Sequence, residues 1–317
     1  MELLPFLDDY LLFLKTNKYS SETVYNYERD LTTFTTFLSS SPDLNQFDKI
    51  SKKTIDQYKA YLVSRDRQTP IKNEKGTELS PQSINRMLSA VRSYLKYLVD
   101  RDEKVPIPPE AIKLVKTEKK HPRVAELEEL IRLIESPQSL EKNLLIGLRN
   151  RAIFEVLFST GMRISELVSL NKVDIDKTGR IFILGKGKKE RFVYLTPRSF
   201  NILDRYLVTR KDSFEALFIP YSGLNVNKKE KRLSPNYIQA KIKRYRERLK
   251  INIPISAHSL RHGFATYLAE SGASPAAIQI LLGHESLDTT TRYVHASDRF
   301  AEETHRKFHP LKERKNP

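Results

Sequence analysis

Apolar residues recur at three- and four-residue intervals through most of the chain, the spacing of a single buried stripe on an α-helix. The clearest case runs Ile84, Met87, Leu88, Val91, Leu95 and Leu98. Ser80-Pro81 opens it, with serine as N-cap and proline at the first helical position. Between the apolar positions, Arg86, Ser89, Arg92, Ser93 and Lys96 form a polar and basic strip. Val24, Tyr27, Leu31, Phe34 and Leu38 repeat the logic, and two more helices are predicted near 3–15 and 52–65. The segment 69–80 is polar, holds Pro and Gly, and reads as an exposed loop. Residues 101–122 contain four prolines among many lysines, which disfavours a continuous helix. A domain boundary is placed there.

The pattern continues differently beyond it. Helices are expected near 125–135 and 142–159, the latter ending at Gly161, with a short helix after Arg163. Residues 180–195, RIFILGKGKKERFVYL, alternate as two strands around a Gly-Lys turn, a β-hairpin. A helix near 197–211, a basic loop at 225–232 and a helix from Pro235 to Lys250 come next. The remainder reads as helices near 259–271, 275–282, 287–295 and 298–308. The expected class is therefore mainly α with one small antiparallel β-sheet in the second domain (α+β). The expected domains are a helical unit 1–102, a basic Pro-rich linker 103–122, a second unit 123–308 whose last helix is 298–308, and a basic tail 309–317.

Composition narrows the setting. Of 317 residues, 39% are hydrophobic and 30% charged, enough for real cores in a soluble protein. No apolar run approaches the ~18 residues of a membrane helix. The acidic start MELLPFLDDY lacks the positive region of a signal peptide, so the expected location is cytoplasmic. There is no cysteine, which removes disulfides, thiolate metal sites and one class of nucleophile. The formal net charge is +16 and points to a polyanionic partner. Lys and Arg number 15 against 14 Asp and Glu in residues 1–102, and 40 against 25 thereafter. Nearly all the excess lies in the second part, an asymmetry that favours nucleic acid.

Three local runs and the hairpin turn carry candidate chemistry. TGMRISELVSL places Arg163 between a helix-ending glycine and a new helix. AHSLRHGFATYLAESG sets His258 and Arg261 on one face of a helix start. LLGHESLDTTTRYVH supplies His284 and Tyr293, and the hairpin turn supplies Lys186. Together such groups can process a phosphodiester. Two arginines can grip the non-bridging oxygens and stabilise the pentacoordinate transition state. A tyrosine can attack phosphorus and conserve the bond as a covalent ester. A histidine can accept the phenol proton, and a lysine can protonate the departing oxygen. Guanidinium groups would supply the charge neutralisation otherwise given by a metal.

Other readings compete. His258 and His262 have the spacing of a two-histidine zinc site, but the glutamate of HExxH is missing and Arg261 sits between them. GKGKKE lacks the spacing of a phosphate-binding loop and joins two strands. Singly, each residue has an ordinary role open to it: Arg163 as the ion-pair partner of Glu166, His284 as a helix C-terminal cap, Tyr293 as one of 15 tyrosines. Only the set as a whole weakens those readings.

Taken as a set, TGMRISEL, GKGKKER, HSLRH, LLGH and TTTRY resemble the signature of the tyrosine recombinase (phage integrase) family, in its Xer-like branch. The nine-residue step from His284 to Tyr293 matches as well. YERDLTTFTTFL and NRMLSAVRSYLKYL resemble the family's N-terminal core-binding (SAM-like) domain, so the likeness spans nearly the whole chain. The 69–79 loop, which looks longer than usual, and the basic tail after Phe308 depart from the pattern.

The resemblance implies a C-shaped clamp on duplex DNA. Tyr293 would form a 3′-phosphotyrosine and release a 5′-hydroxyl; Arg163 and Arg261 would bind the scissile phosphate. His258 would act as general acid and base, His284 would hydrogen-bond the phosphate, and Lys186 would protonate the 5′-oxygen. Glu166 would brace Arg163. No cofactor or metal is implied. Four protomers, identical or of two kinds, would synapse two inverted-repeat core sites and exchange strands through a Holliday junction. The helix 298–308, with Phe300 and Phe308 as anchors, would dock into a neighbour; a cis-packed terminal helix is the alternative. Gln239, Lys243 and Arg244 are candidates for DNA reading, matched by Arg86, Arg92 and Lys96 in the first domain. Phosphate contact without base reading is the competing role for them. Chromosome-dimer resolution at cell division, with a DNA translocase as partner, is the favoured role. Mobile-element integration, type IB topoisomerase activity and DNA binding without catalysis are the alternatives.

Overall fold

The computed structural model describes residues 3–40, 46–64, 79–117, 124–184, 190–227 and 230–283. The chain divides into two compact units, Met1–His121 and Pro122–Pro317. The expected class is observed: mainly helical, with one two-stranded antiparallel sheet.

In the first unit, α1 (Leu7–Thr16), α2 (Ser21–Ser39), α3 (Lys52–Val63) and α4 (Pro81–Val99) enclose one core. Ser20, Ser51 and Ser80 each accept a backbone N–H of the following first turn, satisfying donors that the helix itself leaves open. The interior is rich in aromatics, with Tyr10, Phe34, Tyr58 and Tyr94 fully buried among Leu31 and Leu88. The predicted α4 stripe is buried from Ile84 to Leu98. The Pro-rich stretch also packs on this unit: Ile107 and Ile112 enter its core, and the Asn85 amide exchanges hydrogen bonds with both backbone groups of Val115, at 3.0 and 2.8 Å. One charge is buried there. Asp30 on α2 has no solvent exposure and accepts from Arg86 of α4. Burial pushes its carboxyl above the usual range, against the pull of Arg86 and Arg29.

In the second unit, α5 (Leu127–Glu135), α6 (Pro137–Leu140) and α7 (Leu144–Thr160) lead to the short α8 (Ile164–Ser169). The hairpin of β1 (Arg180–Leu184) and β2 (Glu190–Tyr194) follows. Then come α9 (Pro197–Val208), α10 (Pro235–Arg248), α11 (Ala257–Glu270) and α12 (Pro275–Leu282). Apolar residues surround α7 on most sides, as expected of a helix at the centre of a domain: Ile153, Phe154, Val156 and Leu157 are all buried, against α9 and α11. In the hairpin Ile181 pairs with Val193 and Ile183 with Arg191, so these residues share the inward face while Phe182, Phe192 and Tyr194 face out.

The turn between α7 and α8 is set by Gly161, whose φ of +62° is left-handed. A Cβ at this position would lie 2.3 Å from Cδ1 of Phe264 on α11, so that ring packs directly on the glycine backbone. Gly161→Ala therefore combines backbone strain with a clash. It should lower stability by about 2–4 kcal/mol in urea unfolding; a loss below ~0.5 kcal/mol, within the range of surface substitutions, would show that the turn does not need glycine.

Candidate active site

The turn that ends α7 delivers Arg163 to the N-cap position of α8. Glu166, one turn on, closes back: its Oε2 accepts the Arg163 backbone N–H at 2.7 Å, and its Oε1 accepts Arg163 Nη1 at 3.0 Å. The same carboxylate receives a second guanidinium from β2. Arg191 donates Nη1 to Oε1 at 3.0 Å and Nη2 to Oε2 at 2.7 Å, a two-point fork. Glu166 and Arg191 are buried, whereas the Arg163 side chain is 38% exposed. Burial pushes the Glu166 carboxyl up, but the hydrogen bonds and charges of Arg191 and Arg163 outweigh it and hold the pKa below the usual value.

The α11 start contributes the second group. Ser256 caps it, His258 stands exposed on its first turn, and Arg261 points inward. Arg261 donates Nη1 to the Gly161 carbonyl at 2.8 Å and Nη2 to the Leu282 carbonyl at 2.7 Å. Arg191 adds a bond from Nε to the Leu281 carbonyl at 2.9 Å. The C-terminal ends of α7 and α12, whose last carbonyls lack helical partners, are thus held by two buried cations. His258 feels this concentration of charge: partial desolvation, then the guanidinium groups of Arg261 and Arg163, lower its pKa. Its neighbour His262 is lowered by desolvation and by His258.

Arg163, Glu166, His258 and Arg261 are thus brought together. Lys186, His284 and Tyr293 lie outside the described residues, as do the predicted helices 287–295 and 298–308 and the basic tail. Arg191, which joins this group, is not among the residues to which the sequence assigns a role. Its signal was its phase: along ERFVY it alternates in step with Val193, an inward position occupied by a cation.

The candidate DNA-reading residues differ in availability. Arg92 and Lys96 are exposed on α4, and Lys243 and Arg244 on α10. Arg86 is half-buried and tied to Asp30; Gln239 accepts the Ala257 backbone N–H at 3.3 Å, which joins α10 to the start of α11. The buried side of α10 is anchored by Tyr245, whose hydroxyl donates to Glu141 at 2.6 Å and accepts from Asn150 at 2.7 Å. Among the described residues, no group of three or more His, Asp or Glu could hold a metal ion. No helix among them is long and apolar enough to cross a membrane.

Comparison with known proteins places this architecture. Residues 123–299 match the phage integrase family, and residues 7–102 match the phage integrase N-terminal SAM-like domain. The chain belongs to the phage integrase family and is a site-specific recombinase of the tyrosine type. It is 31% identical to tyrosine recombinase XerD of Staphylococcus epidermidis, over 96% of this chain and 98% of that one. It is 34% identical to tyrosine recombinase XerC of Natranaerobius thermophilus, over 95% and 97%. Among solved structures, the XerH site-specific recombinase bound to its difH substrate is 25% identical with a TM-score of 0.68, over 89% of this chain and 78% of that one. A lambda integrase tetramer bound to a Holliday junction, 17% identical over 93% and 77%, shares the fold with a TM-score of 0.69.

The doubly paired Glu166 has a pH signature. Its folded pKa is depressed, so its contribution to stability is present above the ordinary value of 4.5 and is lost as pH falls through the folded value. Glu166→Gln should cost about 3 kcal/mol near neutral pH. The gap from wild type should narrow as pH drops below 4.5 in urea titrations. A gap independent of pH would mean that the ionised carboxylate is not what stabilises the site.

Proposed function

We propose that the chain resolves chromosome dimers at cell division, acting from the cytoplasm on an inverted-repeat site in the chromosome. It works as a tetramer, of one or two kinds of protomer, on two such sites. The observation that carries the chemistry is the convergence of Arg163, Arg261 and His258 around the end of α7, with Glu166 fixing Arg163 from behind. Relatives named XerD and XerC recombinases, aligned over nearly their full length, support the cellular role.

In this reading Arg163 and Arg261 bind the non-bridging oxygens of the scissile phosphate and take up charge as the pentacoordinate state forms. The Tyr293 phenol oxygen attacks phosphorus. The P–O(Tyr) bond forms as the bond to the 5′-oxygen breaks, leaving a 3′-phosphotyrosine. His258, whose pKa is lowered by desolvation and by the Arg261 and Arg163 guanidinium groups, accepts the phenol proton. Lys186 gives a proton to the departing 5′-oxygen, and His284 hydrogen-bonds the phosphate. Attack by the 5′-hydroxyl of the other duplex reverses these steps and rejoins the strands. The exposed Arg92, Lys96, Lys243 and Arg244 contact the DNA. The helix 298–308 docks into the next protomer, and a cell-division DNA translocase activates the assembly.

Two measurements test the reading. On a nicked cognate site, wild type should accumulate a covalent protein–DNA adduct and Tyr293→Phe should form none while still binding; adduct from the variant would displace Tyr293 as nucleophile. Mapping the protein's binding along its own genome should give one site near the replication terminus, whereas binding at the ends of a mobile element would make it an integrase.

A further inference from the structure

Glu166 is one carboxylate facing two guanidinium groups, and the two are not equivalent. Arg163 is 38% exposed on its side chain, whereas Arg191 is 7% exposed and closed off from solvent. Among the described residues, the bonds of Arg191 are internal: two to Glu166 and one to the Leu281 carbonyl. The turn after α12 closes over its stem, since a Cβ on Gly283 would lie 3.1 Å from Arg191 Cδ. One negative and two positive charges leave one net positive charge, and only Arg163 can present it to a ligand in solution.

We propose that Arg191 is a positioning residue for strand cleavage: by engaging both oxygens of Glu166 it keeps that carboxylate from neutralising Arg163. The proposal rests on the reading that Arg163 binds the scissile phosphate. Without Arg191, the full charge of Glu166 faces Arg163 alone, in a buried setting where an ion pair is poorly screened. Arg163, whose Nη1 already meets Glu166 Oε1, is then held by the whole carboxylate charge, and its own charge no longer serves the transition state. An arginine is required because three acceptors in different directions must be met at once; a lysine ammonium engages the carboxylate only as a point charge. The bond to Leu281 also fixes the helix end that precedes His284 in the sequence.

The test compares two nicked substrates for the full-length protein. One carries the ordinary scissile phosphate; the other carries a methylphosphonate there, in which a methyl group replaces one non-bridging oxygen and removes the negative charge. Arg191→Met should cleave the phosphate substrate about 10- to 100-fold more slowly than wild type, yet come within about threefold of it on the methylphosphonate, whose pentacoordinate state carries one negative charge fewer to be neutralised. An equal defect on both substrates, or none on the phosphate, overturns the proposal. Should Arg191→Met fail to fold in a thermal melt, Arg191→Lys carries the same comparison, with a smaller defect that is again confined to the phosphate substrate. Arg163→Ala separates the two levels. If it cleaves the phosphate substrate at the wild-type rate, the reading of Arg163 fails; if it is impaired and relieved by methylphosphonate while Arg191→Met is not relieved, only the role of Arg191 fails.

Discussion

The catalytic unit depends on one buried carboxylate. Glu166 takes four hydrogen bonds, two from Arg163 and two from Arg191, and thereby ties the start of α8 to strand β2. A lone carboxylate in that position would be strongly destabilising, and so would the buried Arg191 guanidinium left without it. The arrangement holds only as a set, so the backbone segments that carry it are held as a set too. Arg191 and Arg261 extend it to the final carbonyls of α12, and Arg261 reaches the Gly161 carbonyl at the end of α7. Two helix ends that would otherwise carry unpaired carbonyls are stabilised by buried cations.

Around this centre the apolar packing sets tolerances. The α7 helix is buried on most sides, which fixes where its C-terminus falls, and Gly161 lets Phe264 of α11 approach to contact. The positions of Arg163 and Arg261 are therefore referenced to the same core. In the N-terminal unit the analogous feature is Asp30, buried beneath Arg86. It costs desolvation, visible in its raised pKa, and it fixes one cation on a helix whose other basic residues, Arg92 and Lys96, are exposed.

Much of the fold could be read from local sequence because its signals are local. Serine caps with proline at the first helical position marked α4 and α10, and the 3–4 stripe from Ile84 to Leu98 marked the face that is buried. The hairpin was legible from alternation around a Gly-Lys turn. What escaped were pairings between distant segments. Arg86 sits in the outward phase of α4 and reads as a surface cation; its carboxylate partner lies on another helix, beside Leu31, where nothing in the local pattern marks it as buried. Arg191 was hidden by its chemistry, since a charged residue next to GKGKKE blends into a basic turn. Gln239, a candidate for DNA reading, also accepts the Ala257 backbone N–H through Oε1, a link to α11 that its local sequence does not mark. The Arg163–Glu166 link, by contrast, was visible at once because both residues lie within one helical turn.

In the proposed mechanism Glu166 and Arg191 act on catalysis as a neutralising pair, with Arg163 as the beneficiary. Strand-cleavage rates of wild type, Glu166→Gln, Arg191→Met and the double variant test it most directly, because residues that share a function show coupling. If the pair works as described, removing Glu166 frees Arg163 from the unopposed carboxylate, and the double variant cleaves faster than Arg191→Met alone. If instead the two single defects multiply in the double variant, the residues act independently and the shared-carboxylate account is wrong.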